Sequence, residues 1–111
     1  MTARIEIWLY MAQRLSAMVL APLVLVHLIT MVYAIRGGLT AAEILGRTEG
    51  SVFWMAFYGL FVVAAGVHGA IGLRSIVREM TPWRGRSVNL AATAFCIFVL
   101  VLGFRAVGAV T

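Results

Sequence analysis

Lysine and aspartate are absent from this 111-residue sequence, whose fixed charges are nine arginines against four glutamates, a formal net charge of +5. Such a basic balance suits a nucleic-acid surface when the arginines gather on polar segments. Here they stand at the edges of apolar runs, which fits membrane topology instead. Cysteine occurs once, as Cys96 inside the last apolar run, so no internal disulfide forms. No Cys-x-x-Cys-His motif occurs either, which excludes covalent haem attachment. Acidic residues are missing from the long apolar runs: Glu6, Glu43, Glu49 and Glu79 all lie at edges or in loops. A small proton-coupled transporter, which needs an acid inside a span and usually has four spans, is therefore disfavoured.

What is present is apolar. Hydrophobic residues make up 63% of the chain and the mean hydropathy is +1.02, so this is an all-α integral membrane protein and not a soluble domain. The first residues, 1–11, mix charge with Trp8 and Tyr10 and read as an interfacial lead-in, with a short helix in the headgroups. The first span is expected over about 12–35; at ~1.5 Å per residue it covers about 36 Å, enough for a bilayer core of ~30 Å. No small-residue cleavage site follows it, so it reads as a retained span. Pro22 should bend it and Gly37-Gly38 should end it. The polar stretch 39–51 suggests a short helix or loop. A second span over about 52–77 and a third over about 88–107 follow, separated by Thr81-Pro82 and the basic turn of Trp83, Arg84 and Arg86.

With three spans, Arg4, Arg14, Arg74, Arg78, Arg84 and Arg86 share one side, against Arg36, Arg47 and Arg105 on the other. Six against three places the N-terminus in the cytoplasm. The lack of a transit peptide points to a prokaryotic inner membrane.

Within this frame two residues stand out, His68 and His27. An intramembrane histidine is costly unless it pairs or ligates. Ala64 and Gly72 lie one turn either side of His68, and Ala65 and Ser75 share its face, leaving room for a flat, bulky group. Each histidine also has a plainer reading as a hydrogen-bonded helix contact, His27 having Thr30, Met31 and Ser16 near its face. If Arg14 and Arg74 both mark the cytoplasmic edge, His27 lies ~20 Å in and His68 ~9 Å in. At such different depths the two do not share one site. The arginines have a snorkelling reading, the methionines a packing one, and Trp8, Trp54 and Trp83 read as interface anchors.

Arg14-Leu15-Ser16 in the first span, with His27 thirteen residues after the arginine, and His68-Gly69-Ala70-Ile71-Gly72-Leu73-Arg74 in the second together resemble the cytochrome b membrane anchors of succinate dehydrogenase and fumarate reductase. The patterns there are Arg-x-Ser/Thr and His-x-x-x-Gly-Ile/Leu-Arg. The resemblance covers nearly the whole chain, and the extra His27 is similar to the branch with two small three-helix anchors and two b haems. It implies that this chain is half of a cytochrome b helical bundle completed by a second anchor subunit, either a different chain or a second copy. His68 would ligate the haem nearer the cytoplasm and His27 the outer one, with Arg74, Gly72 and Arg78 at the propionates and pocket. Arg14 and Ser16 would line a quinone site. Gln13 stands where some relatives have histidine, Tyr10 where some have serine, and Glu79 where the motif closes on aspartate. The implied activity is electron transfer between iron-sulfur clusters and the quinone pool, in a succinate:quinone oxidoreductase or a quinol:fumarate reductase. The implied partners are an iron-sulfur subunit and a flavoprotein carrying FAD, where the dicarboxylate chemistry lies. A haem-free structural anchor is the alternative.

Overall fold

The computed structural model describes residues 3–111. The chain forms four helices, α1 (Ala3–Arg36), α2 (Ala41–Thr48), α3 (Val52–Met80) and α4 (Arg86–Val110), with no strand among the described residues. Three of them, α1, α3 and α4, are long and apolar enough to cross a membrane. The molecule is 49 Å along its longest axis, beyond a hydrocarbon core of ~30 Å, so helix ends reach the headgroup region.

Local chemistry explains the boundaries. α1 closes in a Schellman motif: Leu39 N–H donates to the Ala34 carbonyl at 3.0 Å, Gly38 N–H to that of Ile35 at 3.2 Å, and Gly38 takes φ +64°. A helix of eight residues follows, held by a capping box in which Thr40 Oγ1 accepts from Glu43 N–H while the Glu43 carboxylate accepts from Thr40 N–H. Ser51 caps α3 through Trp54 N–H, and Thr81 ends it immediately before Pro82. Gly85, at φ +90°, sets the direction of α4.

One expectation fails here. No separate headgroup helix precedes the first span, because Ala3–Arg36 is a single 34-residue helix that runs through Pro22. Residues 3–11 lack a Gly or Pro to interrupt them, and Glu6 is held by α3, so the lead-in continues the helical ladder.

α3 is the middle helix: it packs against both α1 and α4, whereas α1 and α4 have little direct contact. The three spans therefore form an open layer, not a closed bundle. Small residues make the α3–α4 seam, with Gly66, Ala70 and Ala92 buried, as expected where apolar solvent gives helices no hydrophobic reason to associate and close approach decides. Gly103 is the tightest point: a Cβ there would stand 2.5 Å from Val62 Cγ1. Gly103→Ala should lower stability by about 1–3 kcal/mol through overpacking, read as a fall in the melting temperature of the detergent-solubilised protein. Gly46→Ala, with nothing within 4 Å of the added carbon, should not lower it.

Candidate functional site

His68 lies on α3 where that helix meets α1. Its Nδ1 stands 3.4 Å from Ser16 Oγ, and Ser16, 7% exposed, is the buried residue of α1. The Ser16 hydroxyl donates back to the Gln13 carbonyl at 3.0 Å. Gly72, one turn on, faces Gln13: a Cβ there would lie 3.3 Å from Gln13 Nε2. The Gln13 Oε1 is buried with no hydrogen-bond partner among the described residues. One turn before His68 on the same face of α3, Ala64 is buried.

Beyond Gly72 the same seam becomes ionic. Arg74, 7% exposed, donates from Nε to Asn89 Oδ1 at 2.7 Å and from a terminal nitrogen to Glu6 Oε1 at 2.8 Å. Arg78 reaches the same carboxylate oxygen at 3.3 Å. One arginine thus ties α3 to both flanking helices, α1 through Glu6 and α4 through Asn89. The snorkelling reading of Arg74 is overturned, because burial and two directed hydrogen bonds replace the water it would have sought. Neither Glu6 nor Asn89 carried a role in the sequence reading. The detectable signal was Asn89, one of the few polar residues within the third span.

His27 has an apolar setting. Tyr58 and Phe61 of α3 meet its ring edge-on, at centroid distances of 5.9 and 5.4 Å. A cavity of about 310 Å³ opens beside it, walled by Phe61 and Val62 of α3 and by Gly103 and Val107 of α4, with Ile44 and Thr48 of α2 at its end. The ring's Nδ1 is buried with no hydrogen-bond partner among the described residues. An orphaned ring nitrogen in apolar surroundings costs about 1–3 kcal/mol, so a ligand that engages the ring would relieve a real penalty. α2 is held over this end by Arg47, which donates to Tyr33 Oη at 3.3 Å and lies over its ring, and by Gly50 N–H donating to the Thr111 carbonyl at 2.9 Å.

The two histidines are far apart along the bundle. Ser16 marks the level of His68 on α1, and His27 lies eleven residues further along that helix, roughly 16 Å. That is larger than the ~11 Å difference implied by treating Arg14 and Arg74 as level. Gln13 packs on Gly72 and Ser16 on His68, which sets Arg14 about one turn closer to the middle of the bundle than Arg74. Arg14 and Ser16 are also separated. Two residues apart on a helix they point about 200° apart, so Arg14 is exposed with its guanidinium 5.9 Å from the Tyr10 ring while Ser16 is buried against α3.

No group of three or more His, Cys, Asp or Glu converges among the described residues. The arrangement offers single imidazoles at two heights in an apolar, three-span layer with most of its arginines at one end. That defines a membrane-embedded helical subunit whose histidines stand alone in this chain. The family model for the succinate dehydrogenase/fumarate reductase transmembrane subunit matches residues 1–108, and the chain belongs to that family. Membership makes it a multi-pass membrane subunit of such a complex, associated with the complex's flavoprotein and iron-sulfur subunits. Searches of curated proteins and of solved structures return no match.

Proposed function

We propose that this chain is the haem b-binding anchor of a succinate:quinone oxidoreductase, or of the reverse quinol:fumarate reductase, with its N-terminal end on the cytoplasmic side of a prokaryotic inner membrane. The observation that carries this reading is the separation of two lone imidazoles by roughly 16 Å of height, one of them with an orphaned, buried nitrogen. At heights so different, His68 and His27 would hold two separate haems, each completed by a ligand from a second anchor subunit. The three-helix layer is open, with α1 and α4 each packed chiefly on α3, which leaves room for such a partner beside them.

Haem bound at these histidines supplies a one-electron carrier in the membrane. The chain's own residues do the holding: His68 and His27 as ligands, and Gly72 by admitting a close neighbour to α3. Arg78 is the better of the two arginines for a propionate, because its contact with Glu6 is the longer one and it is only partly buried, whereas Arg74 is committed to Glu6 and Asn89 as well as to the end of the pocket. Arg14 faces outward and is the quinone-directed residue of this chain, in a site that the iron-sulfur and second anchor subunits complete. The dicarboxylate reaction and its FAD remain in the partner subunits.

The test is a dithionite-reduced minus oxidised spectrum with pyridine haemochrome quantitation on the purified complex. Two b haems per pair of anchor subunits support the reading. A complex that assembles with none is a haem-free anchor, and the histidines are then helix contacts.

A further inference from the structure

Ser16 carries one hydroxyl proton, and it is committed: the group donates to the Gln13 carbonyl at 3.0 Å. What Ser16 Oγ presents to His68 Nδ1, 3.4 Å away, is therefore a lone pair. With the Ser16 proton on the Gln13 carbonyl, the tautomer of His68 that matches this contact is the one protonated at Nδ1, which would leave the Nε2 lone pair free. Ser16 is buried at 7% exposed, and the His68 ring opposite it is half-buried.

Resting on the reading of His68 as an axial ligand, we propose that Ser16 is the positioning residue of that ligand, fixing the tautomer and ring plane that leave Nε2 available to iron. In this arrangement Ser16 has no proton left to give a quinone. Its proton goes to its own helix and its lone pair to the imidazole, while Arg14, on the opposite face of α1, is the residue that looks outward. A hydrogen bond received from a ligating imidazole also makes that imidazole a stronger donor, which favours the ferric state. At 3.4 Å the bond is long, so Ser16 acts mainly on orientation and modestly on potential. The neighbouring Gly72 belongs to the same device: its lack of a Cβ lets Gln13 pack there, and Gln13 provides the carbonyl that engages the Ser16 proton.

The experiment uses the whole membrane complex carrying Ser16→Ala, Ser16→Thr or Ser16→Cys, with His68→Ala alongside. Ser16→Ala should shift the midpoint potential of the His68-dependent haem upward and alter the g-values of its low-spin ferric EPR signal, leaving the other haem unchanged. Ser16→Thr, which keeps a hydroxyl able to bond the preceding turn, should restore both. Ser16→Cys, whose sulfur is a weak acceptor, should shift both in the direction of alanine and keeps the test open should the alanine variant fail to assemble. Parent values in both the alanine and cysteine variants overturn the proposal. So does a shift that threonine fails to reverse, since packing and not the hydroxyl would then be responsible. A full haem complement in His68→Ala is a different failure, one that removes the axial-ligand reading itself.

Discussion

Replacing His68 with alanine is expected to remove one of two haems from the assembled complex, halving its b-type absorbance. His27→Ala is expected to remove the other half. The basis is the spacing along α1 and α3: with roughly 16 Å between the two levels, neither imidazole can compensate for loss of the other. Their surroundings differ as well. His68 sits in the α1–α3 seam against Ser16, while His27 is edged by Tyr58 and Phe61 beside a separate cavity. Sites this far apart without shared partners should behave additively, so the double variant should be haem-free. Loss of both haems on changing His68 alone, with the complex still assembled, would contradict two independent sites. Loss from His68→Ala only would leave His27 as a helix contact with an unsatisfied nitrogen.

Glu6→Ala is expected to destabilise the three-helix layer by about 2–4 kcal/mol, seen as a lower melting temperature in detergent. Removing one partner of a buried ion pair costs about 3–5 kcal/mol because the remaining charge is stranded. Glu6 is the exposed member, its side chain 40% accessible against 8% for Arg74, and water or lipid headgroups soften the loss. Asn89 still accepts from Arg74 Nε in this variant, so the arginine keeps one partner. Glu6→Met combined with Arg74→Met should recover much of the deficit, since a well-packed apolar replacement of an ion pair is often close to neutral. A melting temperature for Glu6→Ala equal to the parent's would mean that the clasp contributes nothing.

Two kinds of information were legible in the sequence, and they concern composition and spacing along the chain. Mean hydropathy and the length of the apolar runs determined three membrane-crossing helices, because a polar backbone cannot cross lipid unless it satisfies its own hydrogen bonds. The breakers Gly37-Gly38 and Thr81-Pro82 act through neighbours a few residues away, so those two helix ends were readable too. His68 and Gly72 share a helix face by the 3.6-residue period alone.

What happens between helices was not readable, because side-chain reach and rotation across a seam have no fixed separation in sequence. Glu6 and Arg74 are 68 residues apart along the chain, and only the antiparallel register of α1 against α3 brings them to 2.8 Å. That register turned Arg74 from an interfacial charge into a buried clasp. It set Arg14 a turn away from the level assigned to it, and it parted Arg14 from Ser16, which adjacency in the chain had grouped together. The sequence determined by itself that this chain lives in a membrane as three helices with two isolated histidines. The tertiary structure alone decided which atoms those histidines meet, since packing across α3 chose the seam that buries Ser16 beside His68 and the one that leaves His27 Nδ1 without a hydrogen-bond partner among the described residues.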